Sequence, residues 1–234
     1  MRMKGLKEVF IISLLLVWGC SAGMAQEYDV DPPGVVIHNA PAITHEYVGS
    51  PSIVIMPDGT YIASHDYFGN KLSDTYVYIS KDRGNTWERI AELKLLTWAT
   101  LFNRREELYL IGIRPRETIG YGDFVVRKSL DYGRTWTDPK DEKSGLIRRG
   151  FYHCAPVPVV CHKGKYWRAM ENMGQAWGWG PFSALMTSIS CKADLLDAAQ
   201  WVFSNEIKYD SSWKEGATAW LEGNAVVTPK GEVK

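Results

Sequence analysis

Apolar and polar residues alternate in short runs along this chain, and pairs of runs are separated by two-residue turn signals. Residues 52–63 predict a hairpin with Asp58-Gly59 at its tight turn. Residues 99–112 predict a second that turns in the charged run 104–107, and residues 156–170 a third with Lys163-Gly164 at the turn. Residues 225–233 begin a fourth at Lys230-Gly231. After each of the first three comes an outer strand, 75–80, 124–129 and 185–190, which leads to a tryptophan: Trp87, Trp136 and Trp201. Hairpin, outer strand and Trp-bearing turn together make one four-stranded antiparallel unit of about 45 to 50 residues. In the third unit residues 195–200 predict a short helical turn instead of a tight one.

The Trp-bearing turns of the first two units repeat one another. Ser80-Lys81-Asp82-Arg83-Gly84-Asn85-Thr86-Trp87 and Ser129-Leu130-Asp131-Tyr132-Gly133-Arg134-Thr135-Trp136 both read Ser-x-Asp-x-Gly-x-Thr-Trp. In such a turn the Asp accepts backbone amides, the Gly supplies a positive φ and the Trp plugs the turn against an apolar layer. The pattern is similar to the Asp-box of sialidases and related carbohydrate-active β-propellers. That resemblance implies an all-β fold, a six- or seven-bladed propeller of four-stranded antiparallel blades, with Ser80, Asp82, Gly84, Trp87, Ser129, Asp131, Gly133 and Trp136 as a structural device on the outer rim. Such a ring needs on the order of 300 to 400 residues, so the chain is expected to hold about three and a half N-terminal blades of it. The expected organisation is a signal segment over 1–25, a leader over 26–46 in which residues 35–38 form a closing strand, and the propeller over 47–234.

Residues with chemistry gather at predicted strand ends. If Lys163-Gly164 is the turn, Arg168 lies opposite Val159, and strand parity places it on one face with Tyr166 and His153. Pro156 and Pro158 are positions where a bulge would break that register. Tyr152, His153 and Arg168 then fall near one end of an inner hairpin, and His65-Asp66 sits at the matching end of the first. The sialidase resemblance further implies an early Tyr-Arg-Ile-Pro motif whose arginine clamps the substrate carboxylate. Residues 47–52 stand in its place without an arginine, so sialic acid is not the expected substrate. Trp220-Leu221-Glu222-Gly223-Asn224 is similar to the segment that bears the sialidase glutamate.

His, Tyr and Arg on adjacent blades also resemble the sites of propeller lyases acting on uronates and of propeller rhamnosidases. Two enzyme readings follow. A glycoside hydrolase for an acidic glycan would use His65, Asp66, Asp74 or Glu222 as acid and base. A uronate lyase would use Arg168 on the carboxylate, with Tyr152 or His65 taking the proton. Tyr166, Trp177 and Trp179 are expected to contact the glycan, the last two on a Trp-Gly-Trp-Gly loop that also reads as a lid or core plug. A non-catalytic glycan-binding propeller is the third reading.

Composition narrows this picture. The 27 basic and 27 acidic residues cancel, which argues against a nucleic-acid partner. Ten Trp, twelve Tyr and 21 Gly suit a turn-rich β protein with aromatic surfaces. Arg2, Lys4 and Lys7 precede an apolar run over 9–18 that is too short to span a bilayer and suits a signal peptide, so export is expected. Cleavage follows Ala25, or Cys20 is lipidated and anchors the protein to a membrane. The remaining Cys154, Cys161 and Cys191 allow at most one disulfide. Cys154 and Cys161 are an odd number of residues apart on one predicted strand and face opposite sides, which argues against a metal site with His153 and His162. No cofactor is expected, and the whole protein is expected to be a monomer.

Overall fold

The computed structural model describes residues 34–69, 74–116, 122–174, 182–210, 212–213 and 219–234. The chain divides into a unit over 1–33, which lies outside the described residues and includes Cys20 and the segment expected to be a signal, and a unit over 34–234.

Blade 1 is an antiparallel meander of β1 (Glu46–Ile55), β2 (Tyr61–Gly69), β3 (Thr75–Ser80) and β4 (Glu88–Leu93). Blade 2 follows as β5 (Thr97–Arg104), β6 (Glu107–Pro115), β7 (Gly122–Ser129) and β8 (Leu146–His153). Blade 3 is built from β9 (Val160–His162), β10 (Lys165–Asn172), β11 (Ser183–Ser190) and β12 (Val202–Phe203). A fourth hairpin follows, where Val227 bridges Val233 around a turn in which Gly231 has φ 74°. These are the blades of a β-propeller, in the chain order that the alternation predicts. The end at which β1 and β5 begin is called the upper end below.

Strand periodicity builds the core between blades. Along β6, Leu108 and Leu110 face blade 1, in one cluster with Ile62, Val77 and Leu101. Tyr109, Ile111 and Ile113 face blade 3, in a second cluster with Phe124, Tyr152, Met170 and Trp201. Leu108, Leu110, Ile111 and Ile113 are each 0% exposed, so each contributes about 2 kcal/mol of burial.

The two repeated turns close in the same way. Ser80 Oγ accepts Gly84 N at 2.8 Å, Asp82 Oδ1 accepts Thr86 N at 2.9 Å, and Trp87 Nε1 donates to Gly84 O at 3.0 Å. The second turn matches bond for bond, at 2.8, 2.9 and 2.8 Å. Thr86 and Ser80 also donate to the exposed Asp82 carboxylate, which holds its pKa down at about 2. In blade 3 the predicted helical turn is present as a short 3-10 helix, Ala198–Gln200, and Trp201 Nε1 reaches Leu195 O at 3.0 Å.

Two expectations fail here. Residues 35–38 form no strand. Instead Ile37, His38 and Ala40 lie against the free face of blade 1, where they cover an aromatic layer. The third hairpin forms at its expected Lys163-Gly164 turn, but the shared face expected for His153 and Arg168 is lost beyond it. β9 pairs with β10 in the register Cys161↔Tyr166, whereas β8 pairs with the end of β10 as His153↔Glu171. Residues 154–159, with their two prolines, are looped out between the two registers.

Candidate functional site

The upper end of blades 1 to 3 brings together Asp66, Trp98, His153 and Glu171. Asp66 is buried toward the end of β2 and points toward blade 2, where its Oδ2 accepts Thr97 Oγ1 at 2.7 Å and Trp98 N at 2.6 Å. Its Oδ1 is enclosed and has no hydrogen-bond partner among the described residues. Trp98 stands in a bulge between Thr97 and Thr100, with φ 51° in the left-handed region. Its indole lies 4.2 Å from the His153 ring, and Phe182 flanks that ring at 5.4 Å.

His153 and Glu171 are the buried ionisable pair of this end, 5% and 2% exposed. Glu171 Oε2 meets His153 Nδ1 at 3.1 Å, and Glu171 Oε1 accepts Gly223 N at 3.0 Å. A carboxylate on Nδ1 sets the tautomer, so in the neutral ring Nε2 carries the lone pair. Glu222 is itself exposed, with φ 58°, and touches this arrangement through its neighbour Gly223.

Other predicted site residues lie elsewhere. His65 and Asp66 are adjacent in β2 and project to opposite faces of blade 1. The His65 ring lies in an aromatic layer 4.9 Å from His38, 5.5 Å from Tyr76 and 5.4 Å from Tyr78. Its Nε2 meets Tyr78 Oη at 3.0 Å, and His38 meets the Tyr67 hydroxyl. Burial lowers the His65 pKa and pushes that of Tyr78 up to about 12. Asp74 is held in a loop, accepting Lys94 Nζ at 2.8 Å and Leu95 N at 3.1 Å.

Tyr152 is 2% exposed in the core between blades 2 and 3, and its face of β8 is opposite to that of His153. Arg168 is 1% exposed, so it presents no surface for a substrate carboxylate. Its Nη2 donates to Thr100 Oγ1 and Ala155 O, both at 2.9 Å, while Nε and Nη1 find no hydrogen-bond partner among the described residues. The three-residue slip between the β8 and β9 pairings is the reason that Arg168 and His153 are parted, because an odd slip exchanges faces. Tyr166 stands near the opposite end of β10, against Phe102 at 5.5 Å. Trp177 and Trp179 lie outside the described residues.

Among the described residues Cys154, Cys161 and Cys191 are free thiols. Cys154 is buried and burial pushes its pKa up, while the sulfurs of Cys161 and Cys191 approach to 3.6 Å.

Sequence reasoning missed Glu171 as the partner of His153, because the prolines hide the register that joins them. It also missed an arginine group around Asp123 at the upper end of blade 2. The signals were Arg114-Pro115-Arg116 and Arg148-Arg149, which flank a strand that starts with Gly122-Asp123.

No protein-family model and no curated protein matches this sequence. Among solved structures it is similar to an α-L-arabinanase of Penicillium chrysogenum complexed with arabinobiose, with 16% identity, a TM-score of 0.45, and 69% of this chain and 49% of that chain covered. It is similar to the GH93 α-L-arabinofuranosidase of Fusarium graminearum, with 13% identity, a TM-score of 0.48, and 69% and 48% covered. It is also similar to a sialidase of Trypanosoma rangeli in complex with sialic acid, with 15% identity, a TM-score of 0.40, and 56% and 22% covered. The chain spans about half the length of that arabinanase and that arabinofuranosidase.

Proposed function

We propose that this chain belongs to an exported, glycan-active enzyme of glycoside hydrolase type that works at the upper end of its blades. The observation that carries the reading is the His153–Glu171 pair beside Trp98 and Asp66. Hydrolysis of a glycosidic bond needs one group to take a proton from water and another to give one to the leaving oxygen. His153 Nε2, with Nδ1 held by Glu171, suits the first task. The second task needs a carboxyl group open to the glycan; Asp66 is 2% exposed with Oδ1 enclosed, so its part is to hold the Trp98 backbone through Oδ2. The Trp98 indole offers an apolar face for the C–H side of a sugar ring. Export rests on the cationic and apolar N-terminus, with lipidation at Cys20 as the anchored form.

The test is a panel of neutral and acidic oligosaccharides, read both for released reducing ends and for ultraviolet absorbance. Reducing ends without absorbance are expected. His153→Ala should lower kcat by about 100-fold or more, the usual worth of a general base. Glu171→Gln should lower kcat with little change in KM and alter the pH profile, because it acts through the imidazole. Rising absorbance would make the enzyme a lyase, and silence on every glycan would leave a binding propeller; either outcome overturns the proposal.

A further inference from the structure

Blade 2 carries more positive charge at its upper end than its fold requires. The Asp123 carboxylate is buried, 4% exposed, at the start of β7. Its Oδ1 accepts Gly150 N at 3.1 Å and Arg116 Nη2 at 2.5 Å. Its Oδ2 accepts Arg114 Nη2 at 3.0 Å, and Arg149 Nη1 stands 3.9 Å away. One guanidinium would neutralise this carboxylate; three surround it. Arg114 has a second structural bond, from Nη1 to Pro139 O at 2.8 Å. Arg148 adds a fourth cation over the rings of Tyr152 and Phe203, at 5.6 and 4.5 Å. Glu206, which accepts Asn172 Nδ2 at 2.9 Å, is a further acid near this end.

The surplus lies at the surface and beside the site. The side chains of Arg116 and Arg149 are 38% and 61% exposed. Arg116 lies over the Phe151 ring at 5.4 Å, and Phe151 packs with Trp98 against Met173 and Phe182. Arg116 donates to Asp123 through Nη2, whereas Arg149 approaches the same carboxylate only as an ion pair at 3.9 Å, so its planar fork is suited to two oxygens of an anion. We propose that Arg116 and Arg149 form a subsite for an oxyanion substituent of the glycan, a uronate carboxylate or a sulfate ester. The proposal rests on the glycan-active reading, and it gives the anion a seat that the buried Arg168 does not provide.

Titration calorimetry on the protein tests it, with tetragalacturonate, a sulfated galactan tetrasaccharide and neutral galactotetraose at low and high salt. One charged ligand should bind about tenfold or more tighter than the neutral one, with an advantage that salt reduces. Which arm responds separates carboxylate from sulfate. Arg116→Gln with Arg149→Gln should remove the advantage and leave neutral binding unchanged. Arg149→Gln alone, at the most exposed position, should remove a several-fold part of it if the double variant proves unstable. Equal binding of all three ligands, an undiminished advantage in the variants, or equally tight binding of a DNA oligonucleotide each overturns the subsite. Cleavage without charge preference would remove the subsite and keep the hydrolase; charge-dependent binding without cleavage would do the reverse.

Discussion

His65 and Asp66 were adjacent candidates in the sequence, and one step of strand alternation sends them to different parts of the molecule. Asp66 reaches the Trp98 backbone, while His65 is locked in a layer with His38, Tyr76 and Tyr78. Burial disfavours its charged form, and the neighbouring His38 adds to this. The folded pKa is therefore below the unfolded value of about 6.5, and as pH falls through that value the unfolded chain takes up protons that the folded chain resists. Stability should fall as the solution is taken from about pH 7 to pH 5. His65→Asn should flatten that fall, which urea denaturation at a series of pH values would measure; an unchanged slope would remove His65 as its source. Arg168 teaches a related lesson: its residue type announced anion binding, yet its exposure, which depends on the looped-out prolines, was not written locally.

At the scale of elements, what was legible was local. The Ser-x-Asp-x-Gly-x-Thr-Trp turns form from contacts within eight residues, so the pattern carries its own geometry and both copies fold alike. The pairing of β8 with β10 joins residues eighteen apart across two prolines, and parity counted from the hairpin turn gave the wrong face for His153. The repeat also supplies an internal control. Gly84 and Gly133 share φ 88°, a conformation that costs an L-residue about 1 kcal/mol. A Cβ on Gly84 would meet nothing nearer than 3.7 Å, whereas on Gly133 it would meet Val77 Cγ1 at 3.2 Å and Ile90 and Leu108 at 3.4 Å. Gly133→Ala should therefore destabilise by about 1 kcal/mol more than Gly84→Ala, since a packed core yields reluctantly. Thermal melts of the two variants decide this, and equal shifts would mean that the neighbouring side chains move aside freely.

Across the whole molecule, the blades are not joined equally, and the sequence repeat gave no sign of it. Strand β8 pairs with β7 from Leu146 to Tyr152 and with β10 at Tyr152 and His153, so blades 2 and 3 form one continuous sheet from β5 to β12. Blade 1 is a separate sheet. It meets blade 2 through side-chain packing around Ile62, Val77, Leu101 and Leu110 and through a few hydrogen bonds, among them Asp66 to Trp98 and Ser52 Oγ to Leu101 N at 2.9 Å. Backbone pairing couples the opening of neighbouring strands more tightly than a side-chain interface does, so blades 2 and 3 should open as one unit and blade 1 more readily by itself. Native-state hydrogen exchange should then show the amides of β2 and β3 exchanging at least about tenfold faster than those of β6, β7 and β10. Those last three strands should share one exchange free energy. If β2 and β3 are instead protected as well as β6, the core between blades 1 and 2 couples them as firmly as a hydrogen-bonded ladder does. Asp66 would then be held by a rigid wall on both sides.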